Sequence, residues 1–224
     1  MSADLIAAQA LLGHVFTNPG LLEEALTHRS AAGAGGVGSN ERLEFVGDRV
    51  LGLIVAEWLL ERFPAESEGK LGPRLAQLVS KPSLAEVALA HGVGAMLNVA
   101  PGEVKRGVSV QAAVVADALE AMIGALYLDA GLVAARGFVR RMLEQMVRAQ
   151  ATPPKDPKTA LQEWALKRSQ KLPVYEVVEQ SGPSHAPKFV VRVSVDAAQA
   201  QAEGGSKRAA EQEAARMLLG ELSE

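Results

Sequence analysis

Asn40-Glu41-Arg42-Leu43-Glu44-Phe45-Val46-Gly47-Asp48-Arg49-Val50-Leu51-Gly52 sets three carboxylates into an otherwise apolar helical run. At roughly 100° per residue, Glu41, Glu44 and Asp48 share about 60° of arc. Leu43, Phe45, Val46, Val50, Leu51, Leu53, Ile54 and Val55 make the segment apolar nearly all round, so the acidic face is expected to be core. Buried carboxylates are costly unless paired, hydrogen-bonded or bound to a cation. A second segment, Ala112 to Leu128, repeats the anomaly: its only charges are Asp117 and Glu120, three residues apart on one face. Ala113 and Gly124 lie on that face, and Gly52 stands in the same relation to Asp48, all small enough to let another helix come close. If the two faces meet, Glu44, Asp48, Asp117 and Glu120 form an all-oxygen cluster suited to Mg²⁺, with Mn²⁺ as a substitute. An acidic pair on a helix is, taken singly, usually a solvated face. Two of them in apolar settings favour the cluster. The 17 residues of the second segment reach the lower edge of a membrane span, but its central Asp and Glu and its many small residues fit a buried protein helix better.

The 224 residues are 48% hydrophobic, enough to pack one large domain or two smaller ones. No cysteine is present, which excludes disulfides and thiolate zinc sites and fits a cytoplasmic protein. Asp4 precedes any basic residue and no secretory pattern follows, so a soluble protein without a membrane partner is expected. Net charge is −3; residues 1–154 hold 13 Lys+Arg against 16 Asp+Glu, and residues 155–224 hold 10 of each. Any nucleic-acid partner therefore requires local clustering of basic groups.

Before residue 150 the pattern is helical throughout. Helices are expected at Asp4–Val15, at Leu21–His28, from Ser39 or Asn40 as N-cap to Phe63 before Pro64, and at about 70–80, 83–91, 111–128 and 132–149. A proline-rich linker, 151–156, then separates an all-α domain (1–150) from a small α+β domain (157–224). In the latter, Asp156 caps a helix with Pro157 at its first position. Strands follow at Val174–Glu179, Lys188–Val195 and about 197–203, then a helix to about Leu219, giving the order α-β-β-β-α.

Leu26-Thr27-His28-Arg29-Ser30, Pro101-Gly102-Glu103, and Asp156-Pro157-Lys158-Thr159 with Leu161-Gln162-Glu163 flank these lines. Together with residues 40–48 and Ala116-Asp117-Ala118-Leu119-Glu120-Ala121-Met122-Ile123-Gly124, they resemble bacterial ribonuclease III, in that family's order and over nearly the whole chain. The resemblance implies that Glu44, Asp48, Asp117 and Glu120 are metal ligands, with Glu41 and Glu68 as accessory acids near the cleavage site or dimer contact. Lys70-Leu71-Gly72-Pro73-Arg74 departs from the polar, arginine-containing segment of well-known members. The C-terminal domain resembles a double-stranded-RNA-binding domain. Thr159, Gln162 and Glu163 match its first helix, Gly182, Pro183 and His185 its inter-strand loop, and Ser206, Lys207 and Arg208 the start of its last helix. A-form RNA offers a shallow minor groove of 2′-hydroxyls for polar side chains, and its phosphates suit cations at a helix N-terminus.

The function implied is a double-strand-specific endoribonuclease that leaves 5′-phosphate and 3′-hydroxyl ends and acts on ribosomal precursor and other RNA. With no His or Cys close to the acidic residues in sequence, metal-activated water is the expected nucleophile. One cluster cuts one strand, so cutting both calls for a symmetric homodimer with the acidic helix near its two-fold axis. No organic cofactor is expected. A non-catalytic RNA binder of the same fold is disfavoured because all four ligand positions are acidic. A di-iron carboxylate bundle wants Glu-x-x-His, and Glu41, Glu44 and Glu120 lack it.

Overall fold

The computed structural model describes residues 2–33, 36–150, 152–153, 156–168, 171–183 and 187–222, and divides the chain into two units, residues 1–154 and 155–224. The first unit contains α1 (Ala3–Leu12), α2 (Pro19–Ala25), α3 (Glu41–Arg62), α4 (Glu68–Leu78), α5 (Lys81–Ala90), α6 (Pro101–Val104) and α7 (Ala112–Ala149). Among the described residues it has no strand, only an isolated bridge between Thr27 and Asn98.

Local chemistry accounts for most helix ends. Ser2 Oγ accepts from Leu5 N, and α1 stops at Leu12, short of the expected Val15, because Gly13 adopts a left-handed conformation (φ 69°). Pro73 lies inside α4 without ending it. The N-cap of α3 is Asn40, yet it makes no side-chain cap bond; Ser39 Oγ instead donates to Glu41 Oε2 at 2.7 Å. The break expected after residue 128 is a kink at Gly131 (φ 78°), so α7 is one bent run of 38 residues.

The core forms where α3 crosses α7. Leu51, Ile54 and Val55 of α3 and Leu119, Met122, Ile123 and Leu126 of α7 are all buried, each such side chain contributing about 1.5–3 kcal/mol by leaving water. The crossing is a backbone contact. A Cβ added at Gly47 would lie 1.8 Å from the Glu120 carbonyl oxygen, and one at Gly124 would lie 2.3 Å from that of Leu43. The expected role of Gly124 is therefore met, but Gly52 faces open space and Ala113 is exposed. The partner of Gly124 is Gly47, which lies on the line where the two helix axes approach. α7 is long and apolar enough to cross a membrane, but 56% of its most apolar stretch is packed inside the protein, as in a core helix.

The second unit comprises α8 (Pro157–Arg168), β1 (Val174–Ser181), β2 (Lys188–Val195), β3 (Ala198–Gly204) and α9 (Lys207–Glu221). The sheet is antiparallel in the order β1-β2-β3, with an irregularity between Val177 and Glu179. Val193 and Val195 of β2 and Ala200 and Ala202 of β3 meet Leu161 and Ala165 of α8 and Ala214, Ala215 and Leu218 of α9. This follows from the alternation of side chains across a strand. Asp156 starts α8 as expected, its Oδ1 accepting from Lys158 N and Thr159 N.

Candidate metal centre and nucleic-acid interface

Glu44 lies in the first turn of α3, and Asp117 and Glu120 follow one another by about one turn on α7. Because Gly47 seats α3 on the Glu120 carbonyl, these three residues converge at the crossing. One carboxylate oxygen from each lies within 4.8 Å of the others. Glu120 is the floor, only 5% exposed, while Glu44 and Asp117 are half-buried. The acidic face of α3 is thus a rim instead of core, and Glu41 stands exposed at its open end. Asp48 is not one of the three that converge within that distance, and it pairs with Arg49.

Crowding leaves an electrostatic mark. The Glu120 carboxyl is pushed up to about 7, first by burial and then by Glu44 and Asp117, and Glu44 is raised by burial and by Asp117. A cation is already present: Lys81 Nζ donates to Asp117 Oδ1 at 2.6 Å and partly offsets both shifts. Lys81 escaped the sequence reading because 36 residues separate it from Asp117 and nothing local marks the contact. Oxygen-only donors, converging and mutually repelling, fit a hard divalent cation.

Glu68 opens α4, is exposed, and is not part of this group. It lines an apolar pocket of about 350 Å³ with Ala56, Leu59, Leu60, Glu66, Leu71, Gly72 and Leu75. Beside the acidic stripe of α3 runs an uncovered apolar one: Phe45 is 65% exposed, and Leu53 and Leu60 are exposed too. Arg74, in the segment that departs from the family pattern, is structural. It is fully buried, holds Glu66 through two bonds of 2.8 Å, donates to the Gln150 carbonyl at 2.5 Å and stacks on Phe63 at 3.7 Å. His28 is likewise occupied locally, with Nδ1 2.8 Å from Ser30 Oγ, and Ser30 Oγ accepts from Ala100 N. That bond brings the segments 26–30 and 101–103 together.

In the second unit Thr159, Gln162 and Glu163 are exposed along one side of α8. Ser206 caps α9, its Oγ accepting from Ala209 N at 3.2 Å, and Lys207 and Arg208 are exposed in the first turn. Gly182 (φ 85°) and Pro183 begin the inter-strand loop, and His185 lies outside the described residues. Lys158, which the sequence reading did not single out as a contact, is tied inward to Glu211 and to the Tyr175 ring.

Fold and site define a class: a helical unit carrying a partly buried group of carboxylates, coupled to an α-β-β-β-α unit of RNA-binding type. Residues 18–146 match the family described as Ribonuclease-III-like, and residues 157–222 match the double-stranded RNA binding motif. Ribonuclease 3 of Methylocella silvestris is 46% identical over 217 residues, covering 96% of this chain and 92% of that one. Ribonuclease 3 of Azorhizobium caulinodans is 45% identical over 219 residues, covering 96% and 93%. The crystal structure of the nuclease domain of ribonuclease III from Campylobacter jejuni superposes with a TM-score of 0.60 at 34% identity, covering 65% of this chain and 97% of that one. The chain belongs to the ribonuclease III family. Its activity is the endonucleolytic hydrolysis of double-stranded RNA.

Proposed function

We propose that the chain hydrolyses double-stranded RNA with Mg²⁺, Mn²⁺ substituting, and leaves 5′-phosphate and 3′-hydroxyl ends. The observation that carries this reading is the oxygen-only group of Glu44, Asp117 and Glu120, whose buried member is held near neutral pKa, in a chain that also carries the RNA-binding motif. Glu44, Asp117 and Glu120 hold the cation, joined by Asp48 on its release from Arg49. When bound, such a cation polarises a phosphate oxygen and makes a water more acidic. Glu120 is the fixed anchor because its backbone is locked under Gly47, while Glu44 and Asp117 reach in from the solvent side. Glu41, at the open end of α3, is an accessory acid facing the substrate. Attack of water at phosphorus breaks the bond to the 3′-oxygen, which leaves as the hydroxyl, and the phosphate stays on the 5′ end.

Cleavage of both strands needs two such groups, and the uncovered α3 stripe supplies the means. In a two-fold contact, where residue i of one copy meets residue j of the other, j also meets i. Such an axis beside α3 brings Phe45, near its N-terminus, toward the other copy's pocket beside Leu60, near its C-terminus. Glu68, on that pocket, then approaches the other copy's acidic helix, which accounts for its accessory role. In this reading residues 1–150 are the nuclease domain, 151–156 the linker and 157–224 the RNA-binding domain. Thr159, Gln162 and Glu163, the loop with Gly182, Pro183 and His185, and Ser206, Lys207 and Arg208 hold the duplex by shape over ~16 base pairs. Ribosomal precursor RNA in the cytoplasm is the expected substrate.

The test is a long end-labelled RNA duplex incubated with the purified protein in Mg²⁺ or EDTA and resolved on a denaturing gel. Short duplex products with 5′-phosphates, formed only with metal, support the reading. Binding without cleavage in both Mg²⁺ and Mn²⁺ points to a non-catalytic binder.

A further inference from the structure

The acidic group contains a cation of the chain's own, and its mounting is rigid. Lys81 is the first residue of α5, whose N-terminus is capped by Ser80 and whose first turn contains Pro82. Ser83, Leu84 and Ala85 of the same turn are buried, so the Lys81 backbone is fixed. Its side chain is not: Lys81 is 57% exposed and reaches Asp117 across the mouth of the group. Glu44 and Glu120 add their fields to that of Asp117 in holding the ammonium charged. Asp117 Oδ1 cannot both accept from Nζ at 2.6 Å and coordinate a metal ion along the same direction. A divalent cation and an ammonium a few ångströms apart also repel, by an amount that grows in a partly dry site.

We propose that Lys81 is a further active-site residue, an internal counter-ion that holds Asp117 before metal binds, gives up that oxygen when a divalent cation arrives, and then contacts a non-bridging oxygen of the scissile phosphate. The inference rests on the metal-dependent reading above. An ordinary surface ion pair would touch neither metal affinity nor chemistry.

The experiment uses the full chain as wild type, Lys81→Met and Lys81→Arg. Free Mn²⁺ is followed by its electron paramagnetic resonance during titration without RNA. Lys81→Met is expected to bind Mn²⁺ at least tenfold more tightly than wild type, and Lys81→Arg close to wild type. In EDTA, the thermal midpoint of Lys81→Met falls below that of wild type and recovers with saturating Mn²⁺. With every protein saturated by Mn²⁺, single-turnover cleavage of duplex RNA falls at least tenfold in Lys81→Met and is partly rescued in Lys81→Arg, while RNA affinity falls far less than cleavage, by no more than the loss of one phosphate contact among many. Unchanged Mn²⁺ affinity in Lys81→Met, or full cleavage at saturating Mn²⁺, overturns the assignment while leaving the metal-dependent reading intact. A wild type that neither binds Mn²⁺ nor cleaves overturns that reading and this one with it. Should Lys81→Met not fold, Lys81→Gln removes the charge with a polar side chain, and the same tighter Mn²⁺ binding and slower cleavage are expected of it.

Discussion

Replacing Glu120 by Gln separates what the carboxylate group costs from what it does. The Glu120 carboxyl is buried at the α3–α7 crossing and pushed from 4.5 up to about 7, by burial first and then by Glu44 and Asp117. A carboxyl whose pKa rises on folding favours the folded state while protonated. That contribution is fully present below pH 4.5 and is lost as pH rises through about 7. At pH 8, without metal, the ionised group therefore costs at most about 3 kcal/mol. Gln has the same shape and no charge. In EDTA at pH 8, Glu120→Gln should unfold at a higher temperature than wild type, by about 2–4 °C for each kcal/mol relieved in a chain of this size. By pH 5 the gap should close. Mg²⁺ should reverse the order, because a ligand that binds only the folded state stabilises wild type and has lost an anchor in the variant. Cleavage should disappear while duplex binding persists. The assay is scanning calorimetry at pH 5 and pH 8, with EDTA or Mg²⁺, beside gel cleavage and filter binding. A variant less stable than wild type in EDTA at pH 8, or a gap independent of pH, would refute the electrostatic reasoning; normal cleavage would refute the cluster itself.

Gly47→Ala places a methyl 1.8 Å from a backbone oxygen and should destabilise the helical unit by about 3 kcal/mol or more, against a gain of about 1 from helix propensity. Gly52→Ala, into open space, should be neutral or stabilising in the same urea melt, and equal effects at the two sites would contradict the crossing described. Lys207→Ala with Arg208→Ala should weaken duplex binding and flatten its log–log salt slope by up to about 2; an unchanged slope rejects their role at phosphates. Residues 1–154 alone should form a folded dimer that cuts poorly at physiological salt and detectably at low salt. A monomer by sedimentation would contradict the two-fold contact through α3.

Each element could be read in advance where the signal was local. Helical spacing placed Glu44 and Asp48 on one face and Asp117 and Glu120 on another, and β-branched runs placed a strand at Lys188–Val195. Asp156 and Pro157 marked the start of α8 through capping chemistry confined to four residues. The same reasoning misjudged the surroundings of the acidic stripe on α3. Counting apolar neighbours suggested burial on every side, but a helix has only as much core as its partners cover, and the stripe bearing Phe45 and Leu53 is left open.

The sequence by itself determined the order of elements, the division into a helical and an α-β-β-β-α unit, and the two acidic faces, because helix and strand periodicities act over a few residues. Only the tertiary structure decided which carboxylates converge, because the register of α3 against α7 is set by the fit of Gly47 beneath Glu120 and Gly124 beneath Leu43. It alone brought Lys81 to Asp117 and Arg74 to Gln150, contacts spanning 36 and 76 residues. It also gave Glu120 a near-neutral carboxyl while leaving Asp48 beside Arg49 at the surface. Desolvation and charge–charge repulsion depend on distances through space, and those exist only once the helices have packed.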